Sequence, residues 1–356
     1  HLYNAAFAHA LTRHCTMLNA LRDKFRRQKS PPSPRCIAEL EGFGYRGKTA
    51  EQDIVDFPPS FFVIGAPRCG TTATSKSLAR NPYISFSKPK EPHYFLEPSP
   101  GRSVEQARRE YIGRYHSELS DTHQAIGDGS VSYLYSPDAI RRVLEFDSRA
   151  KFIVLVRDPV EMMRSYHSRM LFQLDEDQLD FARAWELQED RAQGRNLPRR
   201  CRDPRLLQYA FLGRLGEHVE RLFETAGRER CRIIVHDDFV RDPRAVYLET
   251  LKFLGVDDDG QVKFKRTRET TSFKSAWLQQ FVMNPPPWTY RLLKISNTRV
   301  LKNLKQVRKR IKKYNAADSK PRQIMTEETR AMLREYFAPD VALLGELLSR
   351  DLSEWQ

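Results

Sequence analysis

Phe61-Phe62-Val63-Ile64-Gly65-Ala66-Pro67-Arg68-Cys69-Gly70-Thr71-Thr72 is the stretch on which the fold turns. Its first four residues are β-branched or aromatic, the composition of a buried parallel strand, and a helical pattern continues after Thr72 to Arg80. The reading is strand, glycine loop, helix. Backbone N–H groups of such a turn, continued by a helix N-terminus, converge on one anion. Gly65 and Gly70 have the spacing of a Walker A loop, but Thr71 stands where a nucleotide triphosphatase carries its lysine. Arg68 is the basic side chain of this loop and is placed to fork onto phosphate or sulfate oxygens. The plainer alternative is a tight strand-to-helix connection with an exposed arginine.

Outward from this loop, residues 151–156 form a second apolar run that ends in Arg157-Asp158-Pro159 and opens a helix through about Phe172. A third run, residues 231–235, ends in His236-Asp237-Asp238 and leads to a helix over 243–254. Strands separated by long helical segments predict a three-layer α/β/α fold with a central, mostly parallel sheet. Ligands of open α/β sheets sit beyond the carboxyl ends of the strands, where Arg157 lies. Ser165 follows eight residues later, two turns into the helix, so the two converge on one phosphate if that helix packs beside the loop. Asp158 as cap and Pro159 at the first helical position give the same segment a purely structural reading, and both can hold. Helices are further expected over 204–226, over a basic stretch at 290–313, and over 326–348 with a capped start at Thr326.

The chain has 356 residues, and 60 Lys and Arg against 46 Asp and Glu give a formal charge of +14. That charge points to anionic partners and leaves the fold open. Runs such as 61–64 and 152–156 fall far short of the roughly 20 apolar residues that span a bilayer. Five cysteines without a C-x-x-C pair speak against a zinc site and a disulfide scaffold, so no metal and a reducing, cytoplasmic setting are expected. The sequence starts at His1 and not at Met, which leaves room for an upstream anchor and with it the Golgi lumen. Residues 1–55 read as a helical extension, amphipathic over 2–29, with a glycine-containing polar linker at 41–48; residues 56–356 read as the main domain. The stretch 291–313 carries ten lysines and arginines and no acid, with apolar residues at largely helical spacing. It is a solvated cationic face, a track for an anionic glycan, or a patch for anionic lipid.

Taken together, the run 61–72, Arg157-Asp158-Pro159 and Ser165 resemble the sulfotransferases that use 3′-phosphoadenosine 5′-phosphosulfate (PAPS) and release 3′-phosphoadenosine 5′-phosphate (PAP). The resemblance runs from about Phe61 to Trp355 and implies the P-loop-like sulfotransferase fold. It implies that Arg68, Cys69, Gly70, Thr71 and Thr72 hold the 5′-phosphosulfate and that Arg157 and Ser165 hold the 3′-phosphate. It further implies that Lys320-Pro321-Arg322, ahead of Glu335-Tyr336-Phe337-Ala338-Pro339, folds back over the donor through Lys320 and Arg322. Two phosphate sites on one ligand also need no metal.

Glu91-Pro92-His93-Tyr94-Phe95 resembles the Glu-x-His-(Phe/Tyr)-Phe run of the carbohydrate and heparan-sulfate branch, where the Glu is the general base. A carboxylate within reach of the acceptor suits the proton that leaves as the new S–O bond forms. His93 competes for that role, with a reference pKa of ~6.5. Structurally, both residues could instead only order the loop Lys88-Pro89-Lys90 by ion pairing. The chain departs from heparan sulfate enzymes at Asp128-Gly129-Ser130-Val131, where a Glu-Lys-Thr-Pro run places a lysine at the sulfate, and in having no cysteine after Cys231. Both speak against a heparan acceptor, and Lys88, Lys90 or Arg68 is left to replace the charge. The implied partners are the nucleotide sulfate donor and an anionic or carbohydrate acceptor, with no nucleic acid, since no zinc-finger or RNP-type pattern is present. The rival readings are a P-loop kinase or ATPase, against which the missing lysine after Gly70 speaks, and a noncatalytic polyanion-binding protein.

Overall fold

The computed structural model describes residues 57–98, 101–264 and 325–356. The chain divides between Ile54 and Val55, and the described residues all belong to the second unit, Val55–Gln356. The expected helix at 2–29, the linker at 41–48, the basic stretch at 291–313, and Lys320 and Arg322 lie outside the described residues.

Five strands form one sheet: β1 (Ser60–Gly65), β2 (Ile84–Phe86), β3 (Ala125–Asp128), β4 (Lys151–Val156) and β5 (Cys231–Val235), in the order β2-β3-β1-β4-β5. All four neighbouring pairs are parallel. β1 is buried at every position and β4 at all but its first. A strand buried on both faces has helices above and below it, so the run of apolar residues at 61–64 encodes a central strand and not a half-exposed one. The helices are α1 (Thr71–Leu78), α2 (Val104–Tyr115), α3 (Pro137–Phe146), α4 (Pro159–Gln173), α5 (Phe181–Glu186), α6 (Gln188–Ala192), α7 (Tyr209–Gly213), α8 (Leu215–Ala226), α9 (His236–Arg241), α10 (Pro243–Leu254) and α11 (Glu327–Leu348). No helix among the described residues is long and apolar enough to cross a membrane.

Caps set several of these helices where the sequence placed them. Asp158 accepts from Val160 N at 2.8 Å to start α4, and Thr326 accepts from Thr329 N at 3.2 Å to start α11. The helix expected over 204–226 is instead three pieces: a 3₁₀ turn (Pro204–Leu207), α7 and α8. Gln208 (ψ 71) and Arg214 (ψ 70) stand between the pieces outside helical ψ, which breaks the i→i−4 ladder at two points. Each piece keeps buried apolar residues: Leu207, then Tyr209 and Leu212, then Leu215, Val219 and Leu222. α11 then packs on α8, and α8 on α3. Asp340 of α11 accepts from Gly216 N and Glu217 N, both at 2.9 Å, and so caps the start of α8 across 124 residues. Arg350 pairs with Asp238 of α9, fixing the end of the chain beside β5.

Candidate active site

The 61–72 segment folds as β1, a turn, and α1. Arg68 (φ 68) and Gly70 (φ 105) both take left-handed backbone. At φ 105 the second position favours glycine, and Gly70 is the N-cap of α1 with no side-chain cap. The first-turn N–H groups, those of Thr71 and Thr72, are therefore not taken up by a capping side chain and face out beyond the strand end, as an anion cradle requires. Cys69 turns its thiol inward, with Sγ 3.6 Å from Pro67 O, and burial pushes it up to about 12. Its own N–H closes the turn onto Ala66 O at 3.3 Å, so Cys69 contributes shape.

Arg68 Nε donates to Ser165 Oγ at 2.9 Å, across 97 residues. The loop expected to hold the 5′ end and the serine expected at the 3′ end are thus in direct contact. Arg157, at the carboxyl end of β4, lies 3.6 Å from Glu161. Glu161 also holds Arg164 at 2.7 Å and reaches across to Arg330 of α11 at 3.0 Å. These arginines, Arg164 first, draw the Glu161 carboxyl below the usual carboxylate range against its burial. Sequence reading passed over Glu161 and Arg330. The contact spans 169 residues and leaves no local trace, although an acid four residues after Arg157 on a helix does predict an i,i+4 pair. His236, at the end of β5, also borders the cradle: a Cβ at residue 70 would lie 3.6 Å from its ring. Burial, and after it Arg157, hold that imidazole below its ordinary pKa.

The second group of side chains gathers at the ends of β2 and β3. Glu91 Oε1 accepts from Lys90 Nζ at 2.6 Å, and Glu91 Oε2 lies 3.7 Å from His93 Nε2. His93 Nδ1 meets Ser132 Oγ at 2.7 Å, and the His93 backbone N–H donates to Ser130 Oγ at 3.0 Å. Burial holds the His93 imidazole below its ordinary pKa, outweighing the pull of Glu91. Ser130 is itself fixed by Asp128, whose carboxylate accepts from Ser130 N at 2.7 Å and Tyr111 OH at 2.9 Å. Burial pushes the Asp128 carboxyl up to about 6. Lys88 turns away to Glu118 at 2.5 Å on the exposed side of the loop.

A cleft of about 390 Å³ opens beside edge strand β2 and reaches this group at Lys90, with Ser75, Lys76, Arg80, Lys88 and His116 among its walls. It does not include Arg68 or Arg157, so it neighbours the nucleotide end and does not form it. Ser75 Oγ, on α1 one turn beyond Thr71, and His116 Nε2 are buried there without a partner among the described residues.

A parallel sheet whose central strand runs into a helix with no side-chain cap, with Arg68 and Arg157 at two strand ends and Ser165 of α4 reaching Arg68, is an arrangement able to hold an anionic ligand. The sulfotransferase domain family matches residues 58–343, and the chain belongs to that family. It is 24% identical over 321 residues to the mouse (Mus musculus) bifunctional heparan sulfate N-deacetylase/N-sulfotransferase 3, covering 86% of this chain and 32% of that one. It is 28% identical over 147 residues to mouse carbohydrate sulfotransferase 15, covering 30% of this chain and 26% of that one. The chain thus spans about a third or less of the length of these curated relatives. Among solved structures, a sulfotransferase from Alicyclobacillus acidocaldarius superposes with a TM-score of 0.56 at 24% identity, covering 84% of this chain and 99% of that one, which establishes the shared fold.

Proposed function

We propose that residues 56–356 transfer a sulfuryl group from PAPS to a hydroxyl or amine of a carbohydrate. The observation that carries this reading is the 2.9 Å contact between Arg68 and Ser165. It brings the glycine loop after β1 and the helix after β4 together, which supports a ligand with negative charge at both its 5′ and 3′ ends. A kinase or ATPase would need a lysine where Thr71 stands. The names of the relatives, heparan and carbohydrate sulfotransferases, support the acceptor class.

In this reading the bound donor supplies the sulfuryl group, and the residues of the chain bind, orient and move one proton. Thr71 and Thr72 N–H with Arg68 hold the 5′ end; Arg157 and Ser165 hold the 3′-phosphate; Lys320 and Arg322 are assigned to the same nucleotide by the family resemblance. Glu91 takes the proton of the acceptor, with His93 beside it fixed by Ser130 and Ser132. Preorganised donors aimed at developing charge carry most of such a rate enhancement, and the general base adds its share. The charge of the basic stretch 291–313 is assigned in this reading to an anionic acceptor or anionic lipid. Transfer of labelled sulfate from PAPS to a panel of glycans, phenols and peptides tests the assignment, alongside calorimetry with PAP and with ATP plus Mg²⁺. Transfer to a glycan and preference for PAP are expected; tighter binding of ATP overturns the reading.

A further inference from the structure

We infer that Lys90 is the cation that faces the transferred sulfuryl group, seated over Gly129 next to the base. The inference rests on the sulfotransferase reading and adds a catalytic residue to it. Gly129 N donates to Lys90 O at 3.0 Å, and Lys90 Nζ donates back to Gly129 O at 3.1 Å, so the lysine arches over residue 129 and is tied to it at both ends. The space is taken by the lysine stem: a Cβ on residue 129 would fall 2.9 Å from Lys90 Cε and 3.0 Å from Lys90 Cγ. It would also fall 3.0 Å from Ser75 Oγ, the buried, unpartnered hydroxyl one turn beyond Thr71. Glycine at 129 is thus what lets a long cation from the β2 side lie between the end of β3 and the first turns of α1.

Lys90 is placed differently from the other two candidate cations. Lys88 is drawn to Glu118 with 69% of its side chain exposed, and Arg68 Nε is turned to Ser165. Lys90 keeps only 25% of its side chain exposed. An ammonium has three N–H donors; two are used on Glu91 and Gly129 O, and the third has no partner among the described residues. During transfer the acceptor oxygen forms a bond to sulfur as its proton passes to Glu91. The bond from sulfur to the 5′-phosphate oxygen breaks, and its electron pair stays with that oxygen on PAP. The third Lys90 donor meets a sulfuryl oxygen through this exchange, while the Glu91 contact keeps base and cation in register.

The test uses Lys90→Met, which keeps the stem and removes the charge, and Lys90→Cys alkylated with 2-bromoethylamine, which rebuilds an ammonium at the same reach. PAP and PAPS affinities are measured without acceptor, and turnover with whichever acceptor the native chain sulfates; aminoethylated native chain is the control. For Lys90→Met we expect PAP affinity within about twofold of native, PAPS affinity weakened selectively, and turnover lowered by roughly 10² to 10³, as for loss of one preorganised donor. Aminoethylation of Lys90→Cys should recover at least tenfold of that loss. Parallel weakening of PAP and PAPS, turnover within about threefold of native, or no recovery on aminoethylation overturns the role of Lys90. If the native chain binds neither PAP nor PAPS, the sulfotransferase reading itself fails, and the two failures are thereby distinguished.

Discussion

Replacing Arg157 with alanine separates a nucleotide site that reads the 3′-phosphate from one that merely attracts anions. The Arg157 side chain is 24% exposed, and its contact with Glu161 at 3.6 Å is an ion pair longer than a hydrogen bond. Its N–H fork is therefore available to a phosphate, at the expense of part of the attraction to Glu161. One charge-assisted hydrogen bond net of that exchange is worth ~1.5 to 3 kcal/mol. The dissociation constant for PAP should then rise roughly 10- to 150-fold. Ser165→Ala removes a neutral hydroxyl that already accepts from Arg68 at 2.9 Å, and should cost only ~0.5 to 1.5 kcal/mol. Calorimetry is run with PAP and with adenosine 5′-phosphate, which has no 3′-phosphate. Arg157→Ala should weaken PAP and leave the shorter nucleotide within about twofold. Equal losses for the two ligands would refute the placement of the 3′-phosphate at the end of β4.

Glu91→Gln should leave PAP affinity nearly intact and lower turnover by roughly 10² to 10⁴, the usual contribution of a general base, with His93→Ala milder; near-normal turnover in Glu91→Gln, set against a severe loss in His93→Ala, would transfer the role to His93. Asp128 is buried with its carboxyl raised to about 6, so its contribution to stability is fully present below about pH 3.8 and is lost as pH rises through 6. Measured by urea unfolding, the stability of the native chain relative to Asp128→Asn should fall by about 2 to 3 kcal/mol between pH 4 and pH 8; a flat difference would count against a strained buried carboxylate. Arg191 and Glu176 are both fully buried and joined at 2.7 Å, so Glu176→Ala, which leaves the buried guanidinium only the longer Asp177 contact at 3.8 Å as an ion pair, should destabilise the chain by ~3 to 5 kcal/mol in the same assay.

Strands β1, β4 and β5 were legible because each contains three or more consecutive apolar residues and ends in a polar or glycine turn. β2 and β3 were not, for reasons of length and neighbours. β2 has only three residues. β3 is Ala-Ile-Gly-Asp, and its glycine is there because the Phe61 ring occupies the space: a Cβ at residue 127 would fall 2.5 Å from Phe61 Cζ. The burial of β3 is therefore supplied by other segments and leaves no hydrophobic signal of its own. The phosphate loop was legible from glycine spacing, since left-handed backbone at residue 70 is a local demand. What joins the site together was not: Ser165 to Arg68, Arg330 to Glu161 and Ser130 to His93 are contacts between distant segments, and no periodicity within one segment reports them.

The interlock of α11 with Glu161 and Gly216, and of Arg350 just after it with Asp238, sets an order of events for a chain emerging from the ribosome. The glycine loop is translated before both sheet neighbours of its strand, β3 and β4. Arg330, Asp340 and Arg350 are translated after all five strands. A nascent polypeptide must therefore carry β1 with both edges open until β3 arrives and with one edge open until β4 arrives, and a premature stop codon before residue 330 would leave α8 without its cap and Glu161 without its far arginine. Messages truncated in this region should yield aggregates or protease fragments, not a smaller folded protein.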